Sequence, residues 1–190
     1  MRHSRYVAQA GVIAAVYSAF TILVLQLPGG IGWGPVQLRL SEAITVVAAL
    51  TPAAIPGLTL GTAVANASLL LALGNPIVLY DVVLGSIATL LGAFWTWRFR
   101  NKTALALLGP VVFNALIVPA YLPIILSEVA GFYEVPILGV DLKGQWLGMY
   151  LFGVVAVGVG QAIVVYGLGW PLLAAMRRIG VAGMAGDGES

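Results

Sequence analysis

The chain contains no cysteine, which excludes disulfides, thiolate metal sites and thiol nucleophiles. Its one histidine, His3, stands ahead of the first apolar run. Neither a histidine proton relay nor a histidine-ligated metal is therefore available in a core. Charged residues make up only 8% of the chain, too few to solvate the surface of an ordinary globular domain. No G-x-x-x-x-G-K-S/T loop, H-E-x-x-H or G-x-S-x-G occurs, so the usual P-loop use of ATP and two common hydrolytic chemistries are absent. Any uphill transport would need an ion gradient or a partner.

What is present is apolar. Hydrophobic residues make up 61% of the 190 residues and the mean hydropathy is +1.02, the composition of an integral membrane protein. At about 20 residues per crossing there is room for about six helices, and the expected fold is an all-α bundle of that number in one domain, residues 1–178. The first run, Tyr6–Leu27, lacks a cleavage signal and reads as a retained helix. After the Gly/Pro-rich connection "PGGIGWGPVQLRL", the stretch from Ser41 to Gly74 divides into two short segments at "TPAAIP". Further helices are expected over Asp81–Trp97, Ala104–Leu126 (bent by Pro110, Pro119 and Pro123) and Gln145–Met176. Residues 179–190 are Gly-rich and read as a flexible tail.

With six crossings, Arg2, Arg5, Arg98, Arg100, Lys102, Arg177 and Arg178 fall on one side. Arg39, Lys143, Glu42, Asp81, Glu128, Glu134 and Asp141 fall on the other. Basic residues mark the cytoplasmic side, so both termini are expected there.

Polar residues inside the apolar runs are the candidates for function. Arg39 and Glu42 open the second segment and Asp81 opens the fourth. Trp33 and Gln37 precede Arg39 in the outer connection, while Asn66, Asn114 and Gln161 fall near mid-membrane. Such groups face a bundle interior or a water-filled cavity, and several converging would form a small-molecule pocket. Each also has a plainer reading. Ser41 and Glu42 can cap a helix with Arg39 paired to Glu42, the amides can be interhelical glue, and Asp81 can be an N-cap. Trp95, Trp97 and Trp146, and less plainly Trp33, suit an interfacial aromatic belt. Small residues form a flat row on the first helix, Gly11, Ala15 and Ala19, beside a second row, Ala10, Ala14 and Ser18. Gly57, Gly61 and Ala65 repeat the device on the third helix. Both suit close packing, against the bundle or an external partner.

Taken in order, "VQLRLSEAITVVAAL", "IPGLTLGTAVAN", "DVVLGSIATLLGA", "FNALIVPAYL" and "GQAIVVYGLGWPLL" resemble the queuosine-precursor transporter (QueT) family, the substrate-binding S components of energy-coupling factor (ECF) transporters. The resemblance runs from about Ala8 to Leu173. It implies a six-helix substrate-binding subunit in a bacterial or archaeal cell membrane, with no cofactor of its own. It also implies a transmembrane coupling subunit and two cytoplasmic ATPases as partners, supplying energy by toppling the S component in the membrane. Gly11, Ala15 and Ala19 match the family's contact with the coupling subunit, and the outer connections Leu27–Leu40 and Ser127–Gly144 match its lids. The implied cargo is queuine, preQ0 or preQ1. These 7-deazaguanines present N–H donors that a carboxylate accepts, and some carry a cationic arm. Glu42 and Asp81 are expected to divide those tasks, with Arg39 orienting Glu42. Asn66, Asn114 and Gln161 would contact the ring, and Trp33 would stack on it. Cobalamin or another vitamin-like cargo for the same subunit, a membrane enzyme using Glu42 and Asp81, and a purely structural subunit are the competing readings.

Overall fold

A computed structural model describes residues 2–25, 39–130 and 144–180, and all regular elements among them are helical. α1 spans Arg2–Leu25, and a ten-residue 3-10 helix follows at Leu40–Ala49. α2 spans Ala54–Leu73. A longer helical segment, Pro76–Arg98, begins with a 3-10 turn, passes through a π-helical turn at Asp81–Gly85 and ends as α3, Ser86–Arg98. α4 spans Thr103–Ala130. The last segment runs as α5 (Trp146–Val164), a second π-helical turn (Val165–Gly169) and α6 (Trp170–Arg178). Five helices in this set are long and apolar enough to cross a membrane.

The second expected crossing differs from the rest. Leu40–Ala49 is apolar but only ten residues long, and its Thr45, Val46 and Val47 are stiff β-branched residues that weaken α-helix. In 3-10 form ten residues cover about 20 Å, against about 15 Å in an α-helix. The segment beyond Pro52 is not short, since α2 has 20 residues. The next helix starts at Pro76 rather than Asp81. The Asn75 side chain caps it by accepting a hydrogen bond from the Ile77 amide (3.1 Å), so Asp81 is not an N-cap.

Contacts between elements set their directions. Gly57 faces Ala10 and Ile13, and Gly61 faces Ala14 and Tyr17, so α1 and α2 run parallel. A Cβ on Gly61 would sit 2.9 Å from the Ala14 carbonyl oxygen, an approach only glycine permits. Between them the 3-10 helix runs back: Glu42 lies beside Tyr17, while Thr51 and Pro52 reach Gln9 and Tyr6 near the start of α1. Thr62–Thr89 and Asn66–Asp81 pairs make the third long segment antiparallel to α2. α4 returns against it with Pro110 on Gly92. α5 descends along α4, placing Gly153 on Pro119 and Tyr166 against Ala104.

The ends sort by charge. Ala49 and Leu50, next to Thr51 and the start of α1, border a recess with Trp97, Arg100, Asn101 and Arg177. The Arg177 guanidinium donates to Thr103 Oγ1 (2.9 Å) and to the Arg100 carbonyl (3.1 Å). One end of the bundle thus gathers the basic residues of the α3–α4 turn and of α6. The other carries Arg39 and Asp81. Near the basic end, Val46, Leu50, Leu107, Val165 and Leu173 form a core cluster, with Val111 packed against it.

Candidate functional site

The polar side chains in the half of the bundle remote from its basic end, called the outer half below, are buried in two layers. Arg39, Asn66 and Asp81 form the outer one. Arg39 precedes the 3-10 helix with a non-helical ψ of 87°, which swings its side chain off that helix and toward the π-helical turn. There its Nη2 meets Asp81 Oδ2 at 3.4 Å. Tyr121 of α4 donates to Asp81 Oδ1 at 2.6 Å, and Asn66 Nδ2 donates to the Asp81 backbone carbonyl at 2.7 Å. A π-helical turn carries one extra residue and leaves backbone groups open to such partners. Gly85 makes the approach possible, since a Cβ there would lie 2.9 Å from Asn66 Nδ2 and 3.0 Å from Asp81 Oδ1.

Glu42 belongs to the inner layer and is 1% exposed. Its Oε1 accepts a hydrogen bond from Tyr17 at 2.6 Å, while Oε2 has no partner among the described residues. Two expectations are corrected here. Arg39 does not orient Glu42 but pairs with Asp81, because the chain leaves helical geometry at Arg39. Nor does Ser41 or Glu42 cap the 3-10 helix: among the described residues no side chain caps it, and the buried Ser41 Oγ is itself without a partner.

Asn114 and Gln161 are buried near the same layer. Asn114 Nδ2 donates to the Pro110 carbonyl of its own helix (2.9 Å), so this amide is locally satisfied. Gln161 Oε1 has no partner among the described residues. The 3-10 helix packs against both α4 and α5. Val46, Val111 and Val165 share one apolar cluster, and Glu42, Asn114 and Gln161 each lie about one turn outward of those valines. The structure thus assembles six of the eight expected site residues in two adjoining layers. The other two, Trp33 and Gln37, lie outside the described residues, as does most of each expected lid.

A cavity of about 30 Å³ opens in the outer layer, lined by Thr21, Arg39, Asn66, Asp81 and apolar residues including Val78 and Leu122. That is room for a water or two, an order of magnitude below an ordinary ligand pocket. The described residues include no group of three or more histidines, cysteines or carboxylates placed to hold a metal.

Tyr17 and Tyr121, which hold the two carboxylates, were not among the expected site residues. Their signal was available: a tyrosine inside an apolar run must find a partner for its hydroxyl. The small-residue rows also separate. Ala14 and Ser18 are buried and Ala10 half-buried, facing α2, whereas Gly11, Ala15 and Ala19 are exposed, with no atom within 4 Å of a Cβ placed on Gly11. Gly57, Gly61 and Ala65 are buried, and the two glycines pack against α1 within the bundle.

A family model described as QueT transporter matches residues 7–178. No curated protein and no solved structure matches the chain.

Proposed function

With a match that runs from α1 to the end of α6, the chain belongs to the QueT transporter family, and we propose that it is the substrate-binding S component of an ECF-type importer for a queuosine precursor. The observation that carries this reading is the pair of buried polar layers in the outer half of the bundle. There an otherwise apolar protein keeps a carboxylate oxygen and an amide oxygen without partners among the described residues, at the cost that buried unsatisfied acceptors impose. A molecule rich in N–H donors, as 7-deazaguanines are, relieves that cost. Glu42 is the carboxylate free to do so, because Asp81 is already engaged by Arg39 and Tyr121. Asn66, Asn114 and Gln161 are the proposed contacts to the ring, and Trp33 and Gln37, outside the described residues, are proposed to join them.

The chain crosses the membrane six times in this reading, five times as long helices and once as the short Leu40–Ala49 helix with its flanking turns. Both termini are cytoplasmic in a bacterial or archaeal cell membrane. Support comes from the parallel course of α1 and α2, which requires a return between them, and from the basic residues collected at one end. A transmembrane coupling subunit docks on the exposed row Gly11, Ala15 and Ala19, and two cytoplasmic ATPases supply the energy for which this chain has no motif.

Titration of the detergent-purified chain, followed by thermal stability and calorimetry, tests the cargo. Queuine, its nitrile and aminomethyl precursors, guanine and cobalamin are compared side by side. A deazapurine at about 100 times its Kd is expected to stabilise the fold by about 2.7 kcal/mol. Stabilisation by cobalamin alone would keep the transporter and overturn the cargo. No shift with any of them would refute the binding site.

A further inference from the structure

The basic end of the bundle carries a recess much larger than the outer cavity, about 450 Å³ against about 30 Å³, and within the size range of ligand pockets. It is lined by Trp97, Arg100 and Asn101 at the α3–α4 turn, by Arg177 of α6, and by the buried Ala49 and Leu50 at the end of the 3-10 helix. Both guanidinium groups are held by neutral partners. The Arg100 guanidinium carbon lies 3.9 Å from the centroid of the Trp97 ring, and its Nη1 donates to the Trp97 carbonyl at 3.1 Å. Arg177 donates to Thr103 Oγ1 and to the Arg100 carbonyl. Among the described residues no carboxylate pairs with either arginine: the one ion pair, Arg39–Asp81, lies at the other end of the bundle. The described acidic residues, Glu42, Asp81 and Glu128, all belong to the outer half, whereas Arg98, Lys102 and Arg178 add to the positive charge beside the recess.

A guanidinium fixed by neutral groups keeps N–H donors for an anion, and two of them on one recess suit the tetrahedral oxygens of a phosphate. Free phosphate and the headgroup of a phospholipid share that chemistry, and position favours the lipid. The recess lies where the apolar spans end, at the level of the headgroups of a bilayer, where basic pockets between helices receive anionic lipids. Its inner lining, Ala49, Leu50 and the Trp97 indole, offers a free phosphate nothing. Ile87, Leu91 and Phe94, exposed and at helical spacing, form an apolar stripe on α3 that ends one turn before Trp97, a track for an acyl chain.

We infer that this recess binds the headgroup of an anionic glycerophospholipid, with Arg100 and Arg177 on the phosphate and Trp97 against the glycerol. A choline headgroup is disfavoured, because its own cation enters a field of like charge. The site stands at the opposite end of the bundle from the polar layers and does not depend on the cargo.

Native mass spectrometry of the full-length chain, released from mixed micelles with equal amounts of phosphatidylglycerol and phosphatidylcholine, tests this. Phosphatidylglycerol is expected to be retained at least about tenfold more strongly, the scale of one charge-assisted hydrogen bond. Arg100→Gln combined with Arg177→Gln is expected to abolish the preference. Arg98→Gln combined with Arg178→Gln removes the same charge outside the recess and is expected to keep it. Equal retention of the two lipids by the unaltered chain would overturn the site, and so would equal losses in the two double variants, which would mean diffuse attraction to a basic end. Displacement of phosphatidylglycerol by inorganic phosphate at a comparable concentration would overturn the lipid as the occupant. If the Arg177 change prevents folding, Arg100→Gln alone takes its place, since that side chain bonds only to Trp97 of its own turn.

Discussion

Replacing Asp81 by Asn probes the outer layer without changing its shape. The amide keeps an oxygen for the Tyr121 hydroxyl, now 2.6 Å from Asp81 Oδ1, and leaves the backbone carbonyl that Asn66 uses untouched. What it removes is the charge opposite Arg39. Nη2 and Oδ2 are 3.4 Å apart and the two side chains are only 13% and 5% exposed. At an effective dielectric constant of about 20, that separation corresponds to an attraction of about 5 kcal/mol, much of it offset by the cost of dehydrating both ions. Leaving one member buried alone typically costs about 3–5 kcal/mol. Asp81→Asn is therefore expected to lower stability by about 3 kcal/mol, and Arg39→Met by a similar amount. The double variant is expected to lose much less than the sum, because no charge is then stranded. Reversible unfolding of the purified chain in mixed micelles, followed by helical circular dichroism, measures all four proteins. A coupling energy of at least about 2 kcal/mol is expected. If the two single losses simply add, Arg39 and Asp81 do not act as a pair and the two-layer description of the site fails.

Packing offers a second test. Gly61→Val places side-chain atoms where even a Cβ would be 2.9 Å from the Ala14 carbonyl oxygen, so a loss of about 1–3 kcal/mol is expected from overpacking. Gly11→Val, with nothing within 4 Å of its Cβ, should change stability by less than about 0.5 kcal/mol; equal effects in micelle unfolding would contradict the assigned faces of α1. Ala15→Trp fills the exposed row and should leave binding of the proposed cargo by the isolated chain intact while abolishing co-purification with the proposed coupling subunit. Retained co-purification would remove that row from the docking surface.

The long helices were legible because a run of about 20 apolar residues has few other stable forms in a bilayer. The ends read from sequence for the fifth and sixth runs fall within a few residues of those observed, apart from the longer outer end of α4. Hydrophobicity was less informative about Leu40–Ala49. It reported burial correctly, yet burial is compatible with a 3-10 helix as much as with an α-helix, and the shorter, more extended form follows from the return path between parallel α1 and α2. The Asp81 region departs from the expectation for a related reason. Asp81 resembles a helix start, but Asn75-Pro76 one turn earlier already supplies the cap and the first helical proline. Of the site, the residue types and their depth were readable, since each polar group in an apolar run demands a partner. Tyr17 and Tyr121 stand out less in the sequence because their rings satisfy the apolar pattern by themselves.

By itself the sequence determined that this is a helical membrane protein, where its apolar runs lie, that its basic residues favour one end, and which polar side chains would be buried. Those properties follow from local composition, which fixes how each segment partitions between water and lipid. The tertiary structure alone decided the pairings. Arg39 stands three residues from Glu42 and forty-two from Asp81, yet it pairs with Asp81, because its backbone is non-helical at that point and the π-helical turn brings Asp81 across. Charge pairing depends on distance in space. The consequence is a Glu42 carboxylate whose Oε2 has no partner among the described residues, the feature on which the proposed site rests.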